Sequence, residues 1–523
     1  MALQFAEWTP WGAAFLSEEQ GEQGRLGVDY TSNVDTRWER QVMLGPLVTT
    51  LSCAAAGGTA ANTNGFAVQP ATMNATHGLG LYAIRGTKWA KMKITSGTSA
   101  ITLTSDGSES ALAEAATSIL YTKNAAGTEE ISIGMLDTAY RVITTVGNTT
   151  TDTHSANAST AKARIIALAG SSSANRDVAL LGKGTGSVHN NVSQNTLSGS
   201  VTMATPTLTT RATIGGEAIT FTGFAMDQDK WTLGTSNGPY YLDSSFQVFR
   251  PLIEELDNDT GQCDQMGVWG VVASSVIIPL KRSTRIARNL SGRSIGPEVY
   301  RENTGPVTGS TTAFTSSERW GYFAFYNVVQ DKTWIVAARP SLEADWHQYP
   351  ISYFPIIQLG DGIECHAAQY IGTLGTRTLP MVAIGSDSNV AFFDEGRIDR
   401  FTDDTSYTYG ASGTLYLTKM LRHPNDYKNV KWFQFETANC NANQTITLSV
   451  TVVDRYGNSN TVQVGAPVTN NGIQRVYVPA SLPINMARDV KPQVAFATNT
   501  SAASPKIVSK IVMAYEPEPM RLD

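Results

Sequence analysis

Two stretches of the chain repeat one pattern of glycine, polar turn and aromatic residues. Residues 233–243 read LGTSNGPYYLD and residues 384–394 read IGSDSNVAFFD, and in both the aspartate follows the glycine by nine positions. Asn-Gly pairs tolerate the positive φ values that tight turns require, so residues 237–238 fit the turn of a β-hairpin. We therefore predict two copies of one hairpin, with Gly234 and Gly385 at equivalent positions.

The same order of apolar strand, polar turn and apolar strand occurs at four further places, in residues 81–94, 131–143, 268–278 and 322–337. Their irregular spacing of about 40 to 60 residues brackets the repeat length of four-stranded propeller blades. In a ring of such blades, each small sheet packs on its neighbours and few strand edges stay exposed. The repeat predicts an all-β fold with a β-propeller of about six or seven irregular blades in residues 1–400.

The composition agrees with an all-β protein, because Thr, Ser, Ala, Asn and Gly favour short strands and turns over long helices. Only 16% of the residues are charged and the net charge is −6. These values argue against a nucleic-acid binder held by overall charge and against a disordered acidic chain. The low-complexity region at about 98–215, rich in Ala, Ser and Thr, fits either two irregular blades with long loops or an inserted small domain.

The pattern changes after the polar stretch FTDDTSYTYGASG, residues 401–413, which we interpret as a linker. Beyond it, alternating apolar segments such as QTITLSVTVVD and KIVSKIVMAYEP are separated by turns containing Gly and Asn. This alternation over residues 414–523 predicts a C-terminal β-sandwich or jelly-roll-like domain.

The hairpins WTLGTSNGPYYLD and AIGSDSNVAFFD, followed by the β-domain YLTKMLRHPNDYKNVKWFQFET…KIVSKIVMAYEP, resemble the β-propeller virion proteins of tailed bacteriophages, such as the tail nozzle proteins of short-tailed phages. The similarity lies in architecture and composition, covers about the last 300 residues, and includes no diagnostic motif. It implies a structural nozzle or tail-tip subunit that forms a ring with its own copies and contacts neighbouring virion proteins. Such a protein is located in the virion tail, is made and folded in the host cytoplasm, and has no catalytic residues to carry over.

Few titratable side chains are close together in the sequence. Asp361, Glu364 and His366 share the stretch GDGIECH, and Asp345 precedes His347 by two residues. No third ligand at a recognised spacing accompanies either group, so ordinary loop polarity is the simpler interpretation. Four cysteines, at positions 53, 263, 365 and 440, are far apart and have neither zinc-binding nor redox spacing. We therefore expect a protein that is not an enzyme, with no catalytic residue, metal site or cofactor.

Two segments of opposite charge flank the apolar stretch QMGVWGVVASSVIIPL. Residues 254–264 carry only acidic charges and residues 281–293 only basic ones. As surface loops they could form complementary faces between neighbouring subunits of a ring. The basic loop could instead face a lumen through which DNA passes, and both segments could be plain solvated loops. The candidate interface residues are Glu254, Glu255, Asp257, Asp259, Lys281, Arg282, Arg285 and Arg288.

Two other functions stay open at this point. A carbohydrate-binding or glycan-hydrolysing propeller, such as a phage receptor-binding protein, would contact a host surface glycan, and a glycosidase would need two carboxylates facing each other across a pocket. A scaffold propeller for cellular partners would remain monomeric. No stretch is long and apolar enough to span a bilayer, so we expect no membrane insertion.

Overall fold

Every regular element in the described part of a computed structural model of the chain is a β-strand. The described residues are 3–12, 26–38, 40–52, 62–69, 79–96, 101–105, 110–136, 138–146, 149–156, 162–171, 175–182, 191–214, 220–227, 230–236, 238–249, 270–272, 275–279, 284–288, 291–294, 310–327, 329–340, 351–373, 380–386, 389–395, 407–420, 426–453, 457–479, 487 and 489–519.

The N-terminal segment contains five short strands. They are β1 (Gln4–Trp8), β2 (Val28–Ser32), β3 (Val34–Asp35), β4 (Met43–Leu44) and β5 (Thr49–Ser52). β3 and β4 pair with each other, whereas β1, β2 and β5 each join a sheet formed much later in the chain.

Three small antiparallel sheets follow. Sheet 1 contains β6 (Thr63–Gln69), β7 (Leu79–Arg85), β8 (Lys88–Ser96), β9 (Ile101–Ser105) and β10 (Ser110–Ala111). Sheet 2 contains β11 (Ala116–Lys123), β12 (Glu129–Met135), β13 (Arg141–Val146) and β14 (Thr149–Ala156). Sheet 3 contains β15 (Ile165–Ser171), β16 (Arg176–Gly182), β17 (Asn191–Leu197) and β18 (Leu208–Thr213). The Ala/Ser/Thr-rich region therefore contributes to successive sheets of the same kind as the others.

Four more sheets continue the series. Sheet 4 contains β19 (Phe221–Asp227), β20 (Lys230–Thr235), β21 (Gly238–Leu242) and β22 (Val248–Phe249). Sheet 5 contains β23 (Gly270–Val272), β24 (Ser275–Pro279), β25 (Thr284–Arg288) and β26 (Ser291–Ser294). Sheet 6 contains β27 (Ser310–Ser316), β28 (Gly321–Asn327), β29 (Lys332–Pro340) and β30 (Ile351–Gln358). Sheet 7 contains β31 (Cys365–Thr373), β32 (Pro380–Ser386) and β33 (Asn389–Asp394), with β5 as its fourth strand.

These seven sheets have a propeller-like arrangement. The first strand of each sheet lies beside the first strand of the next, from β6 through β11, β15, β19, β23 and β27 to β31. β31 in turn lies beside β6, so the series returns to its start. Buried side chains fill the space between successive sheets, as where Ile165 of sheet 3 clusters with Phe224 and Trp231 of sheet 4.

The two hairpins that reveal the repeat in the sequence occupy equivalent places. Gly234 is the penultimate residue of β20 and Gly385 is the penultimate residue of β32, the second strands of sheets 4 and 7. Each glycine lies opposite a β-bulge in the first strand of its sheet, between Phe221 and Gly223 or between Cys365 and Ala367. The predicted equivalence of the two glycines is therefore confirmed.

Two further sheets involve the C-terminal region. Its strands are β34 (Ser412–Leu417), β35 (Asp426–Ala438), β36 (Gln444–Val453), β37 (Ser459–Gln463), β38 (Gly472–Tyr477), β39 (Asp489–Thr498), β40 (Lys506–Ile507) and β41 (Ile511–Pro519). Sheet 8 has the order β1-β41-β35-β38, with β40 also on β35, and sheet 9 has the order β2-β34-β39-β36-β37. Every second residue of β36 is buried, as expected of a sheet with one face on a core.

The N-terminal strands do not follow the division expected from the sequence, which placed residues 1–400 in one unit. β1 pairs with β41 and β2 pairs with β34, so both lie in the C-terminal sheets. Of the expected linker, residues 401–406 lie outside the described part, whereas Tyr407 and Tyr409 are buried. One apolar cluster joins sheet 6 to sheets 8 and 9, with Phe323, Phe433 and Val494 among its members.

The basic segment after residue 280 also differs from its prediction as a loop. Arg285 and Arg288 lie in β25, which pairs with β24 on one side and β26 on the other. In residues 284–288 the β-branched Thr284 and Ile286 alternate with other residues, a pattern that a strand accepts. The prediction of a loop rested on the charges and did not consider this pattern. The apolar stretch before it forms β23 and β24, as predicted.

A substitution at Gly385 tests how closely the first and last sheets of the series approach. A Cβ atom there would lie 2.6 Å from Thr63 Cγ2 and 3.0 Å from Phe66 Cζ of sheet 1. We expect Gly385→Ala to lower the free energy of unfolding by about 1 to 3 kcal/mol in chemical denaturation. Gly410→Ala is the control, since its Cβ would meet nothing closer than 3.7 Å. Equal stability of the two variants would contradict this packing.

Cleavage between the two parts of the chain tests the N-terminal pairing. We expect a protein cut at a protease site inserted within residues 401–406 to elute as one species in size-exclusion chromatography, because β1 and β2 are hydrogen-bonded into sheets 8 and 9. The two fragments should separate only in denaturant. A folded C-terminal fragment that elutes alone would show that β1 and β2 are dispensable.

Candidate functional site

The first strands of the series surround a cavity of about 350 Å³. Described residues of sheets 1, 2, 3, 4, 6 and 7 line it. A volume of this size matches one small ligand. The polar side chains in the described lining include Asn64, Thr117, Ser118, Thr315, His366 and Gln369.

Three of these polar residues reach the cavity from β-bulges. Asn64, Thr117 and His366 are the residues skipped in the pairing of the first and second strands of sheets 1, 2 and 7. A bulge adds one residue to a strand and redirects its side chain. The same local irregularity, repeated around the series, therefore directs polar groups inward.

Much of this polar lining connects neighbouring sheets. Thr117 and Ser118 of sheet 2 both donate hydrogen bonds to the backbone oxygen of Arg164, which directly precedes sheet 3. Thr315 of sheet 6 accepts a hydrogen bond from the backbone N–H of Tyr370 in sheet 7, at 2.9 Å. These hydroxyl groups stabilise the ring of first strands.

The structure keeps Glu364 and His366 of GDGIECH together and places Asp361 apart from them. His366 lies in β31 and not in a loop, and its Nδ1 is 3.9 Å from Glu364 Oε1. The carboxylate of Asp361 is 83% exposed and lies 3.4 Å from Lys332 Nζ. His366 is the only titratable side chain in the described lining. Asp345 and His347 lie outside the described residues.

The described lining contains no carboxylate, whereas hydrolysis of a glycosidic bond needs two. Within the described ranges no group of three or more His, Cys, Asp or Glu side chains is placed to hold a metal ion. Burial raises the pKa of the Cys365 thiol to about 12, so this cysteine is protonated and unreactive at neutral pH.

A buried ion pair lies within the N-terminal segment, between Asp35 and Arg37. Nε of Arg37 donates to Asp35 Oδ1 at 3.0 Å and Nη2 donates to Oδ2 at 2.8 Å. The two side chains are 1% and 0% exposed. Burial by itself lowers the pKa of an arginine, but the adjacent Asp35 carboxylate more than offsets this, so the pKa of Arg37 is raised. Arg37 therefore stays ionised.

Arg37 also binds sheets 6 and 7. Its Nη2 donates to the backbone oxygen of Glu395 at 2.9 Å, directly after β33, and its Nη1 donates to the Tyr322 hydroxyl of β28 at 3.3 Å. Tyr322 donates to Glu395 Oε1 at 2.9 Å. Burial raises the pKa of Tyr322 well above its usual value, so its hydroxyl keeps the proton it donates. The Arg37 guanidinium also lies 5.3 Å from the ring centroid of Trp320. Sequence analysis missed this network, because Asp35 and Arg37 look like ordinary polar residues of a short segment.

The predicted charged interface is only partly within the described chain. Glu254, Glu255, Asp257, Asp259, Lys281 and Arg282 lie outside the described residues. Arg285 and Arg288 lie in β25. The complementary charged faces therefore stay a prediction.

Asp35, Arg37, Tyr322 and Glu395 together form what we call the Arg37 junction. Removal of Arg37 tests it. Arg37→Met leaves the Asp35 carboxylate buried without its partner, so we expect a loss of about 3 to 5 kcal/mol in the free energy of unfolding. Asp35→Asn combined with Arg37→Met should recover part of this loss, measured as a double-mutant cycle by chemical denaturation. Lys123→Met is the control, because Lys123 is exposed and the loss of its pair with the partly exposed Glu129 costs at most about 1 kcal/mol. Similar losses in Arg37→Met and Lys123→Met would contradict the role of the junction.

No helix in the described ranges has the length and apolar character needed to cross a membrane. No protein-family model and no curated protein sequence matches the chain.

Among solved structures, the chain is similar to PorZ, a surface component of the type-IX secretion system of Porphyromonas gingivalis, with 9% identity, a TM-score of 0.35, and 71% of this chain matched to 45% of PorZ. It is similar to the extracellular domain of a one-component system of B. thetaiotaomicron, with 10% identity, a TM-score of 0.42, and 70% matched to 45%. It is also similar to a chain of polycomb repressive complex 2 of Chaetomium thermophilum, with 8% identity, a TM-score of 0.42, and 68% matched to 98%. The chain thus spans about 45% of the length of the first two proteins.

Proposed function

We propose that the chain is a structural subunit of a tailed-bacteriophage virion, a nozzle or tail-tip component that forms a ring with its own copies and contacts neighbouring tail proteins. In this proposal sheets 1 to 7 are the blades of a closed seven-bladed β-propeller, and sheets 8 and 9 form a jelly-roll-like sandwich.

The path of the N-terminal segment carries the proposal. β1 joins sheet 8, β2 joins sheet 9 and β5 joins sheet 7, so one short segment is hydrogen-bonded into both parts of the protein. Thr31 donates to the backbone oxygen of Pro355 in sheet 6 at 2.6 Å, and Asn33 Oδ1 accepts from the backbone N–H of Gln358 at 2.7 Å. Relative motion of the two parts would break these bonds together with the Arg37 junction. A rigid body of this kind suits a subunit that holds its shape under load.

The cavity fits the same proposal. Its hydroxyl groups are largely engaged in bonds between sheets, which suits a structural role.

Particle assembly tests the proposed function. We expect light scattering of the purified protein to give a closed oligomer of one size, and negative-stain images to show rings. Antibodies against the protein should label the tails of virions from the phage that carries the gene, and mass spectrometry should detect the chain in those particles.

A protein that stays monomeric at all concentrations and is absent from virions would contradict the proposal. Binding or hydrolysis of a host surface polysaccharide by that monomer, lost in His366→Ala, would favour the glycan-directed alternative instead.

A further inference from the structure

Sheet 8 has two exposed edges. β1 and β38 are the end strands in its order, and in the described chain neither has a strand on its outer side over residues 4–7 and 473–477. In the described chain the edge of β1 is closed at its end, where Trp8 forms a bridge with Leu26. An open strand edge presents unpaired N–H and C=O groups that can pair with another strand.

Large apolar side chains mark both edges. Phe5 of β1 is 49% exposed, and Ile473 and Tyr477 of β38 are 70% and 63% exposed. Natural sheets usually protect their edges with charges, proline or short strands. Exposed aromatic and aliphatic residues on both edges of one sheet indicate surfaces that become covered.

The exposed side chains of the two edges lie on one face and in matching rows. One row across the sheet runs from Phe5 through Ala514 and Trp432 to Tyr477. The next row runs from Glu7 through Val512 and Gln434 to Arg475. The first row thus ends in an aromatic residue on both strands. The second row ends in an acidic residue on β1 and in a basic residue on β38.

The directions of the two edge strands are also compatible. Each neighbouring pair in sheet 8 is antiparallel, so β1 and β38 run in opposite directions. β1 of a second copy can therefore lie antiparallel to β38 and continue the sheet. The register that places Glu7 opposite Arg475 also places Phe5 opposite Tyr477, and both pairs lie on the same face.

We propose that β38 of one subunit pairs with β1 of the next, so that sheet 8 continues from subunit to subunit. The contact deepens the proposed ring-forming function and rests on it. It is heterologous, because two different edges meet, and such a contact generates a ring when the rotation between subunits closes.

A second copy of this chain explains the two edges better than other partners do. Pairing of β38 with another β38 about Arg475 would place like charges opposite each other, which destabilises a sheet. A glycan would need open aromatic faces, but the guanidinium of Arg475 lies 4.5 Å from the ring centroid of Trp432 and covers that ring. Head-to-tail pairing of β1 with β38 places unlike charges together and covers Phe5 and Tyr477.

Charge reversal tests the register. Within one subunit Glu7 forms an ion pair with Lys510 at 3.2 Å, and Arg475 donates to Gln434 at 2.6 Å. Glu7→Arg and Arg475→Glu should each raise the dissociation constant of the oligomer about tenfold or more in sedimentation velocity, because each creates a like-charge pair across the contact. The double variant should recover part of the association, since the new arginine at position 7 still faces Lys510. Lys431→Glu is the matched control, since Lys431 lies on an inner strand of the same sheet and is 36% exposed. Unchanged melting temperatures would establish that the variants are folded.

Disulfide trapping tests the same contact without charge. A mixture of Phe5→Cys and Tyr477→Cys proteins should give a covalent dimer under mild oxidation, and neither protein alone should give one. The unmodified protein measures the background of its native thiols, of which Cys365 and Cys440 are buried.

The outcomes separate the interface from the proposed function. An oligomer that is unaffected by Glu7→Arg and Arg475→Glu, or weakened equally by Lys431→Glu, would overturn the β1–β38 contact and leave the ring-forming function standing. An intact oligomer whose polysaccharide binding is lost in Tyr477→Ala would overturn the contact and assign this face to a glycan. A wild-type monomer at all concentrations would overturn both.

Discussion

Small antiparallel sheets gain stability with each added strand, and the N-terminal segment of this protein supplies one strand to each of three sheets. β1 and β2 complete sheets 8 and 9, and β5 completes sheet 7. These pairings join the two ends of a chain of 523 residues. The entropy cost of closing a loop grows slowly with its length. The backbone hydrogen bonds of the sheets can therefore offset the cost of pairing such distant segments. The relative position of the two parts of the protein depends on this segment.

The Arg37 junction fixes the same segment by a different kind of interaction. Asp35 and Arg37 lie where the N-terminal hairpin, β28 and the end of β33 meet, and the guanidinium satisfies acceptors from all three. A buried charge is costly unless its partners are complete, so the network tolerates little displacement of any one element. Backbone pairing defines which strands are neighbours, and the hydrogen bonds from Arg37 to Tyr322 and Glu395 hold the N-terminal segment against sheets 6 and 7.

A repeated bulge determines the inner surface of the propeller-like part. In sheets 1, 2, 4 and 7 the first strand is irregular opposite the last two residues of the second strand. Gly385 and Gly134 occupy the same site in their sheets. A Cβ at Gly385 would lie 2.6 Å from Thr63 Cγ2 of sheet 1, and one at Gly134 would lie 2.5 Å from the backbone oxygen of Arg164, directly before sheet 3. The glycine of the repeat therefore reflects close approach between sheets, and the bulge explains why Asn64, Thr117 and His366 face the cavity.

The sequence by itself determined the local structure of this protein. Hairpin patterns identified strands and turns, and the repeated glycine identified equivalent positions in two sheets, because a strand of period two and a turn with positive φ depend on neighbouring residues.

The tertiary structure decided what non-local pairing controls: that residues 4–8 and 28–32 belong to the C-terminal sheets, that Arg285 and Arg288 lie in a strand, and that His366 lines a cavity. The outer face of β1 and β38 is likewise invisible in sequence, since Glu7 and Arg475 share a sheet only because β41 and β35 lie between them. Hydrogen bonds between strands carry no signature of their partner in the local sequence, and the choice among possible partners is made by packing of the whole chain.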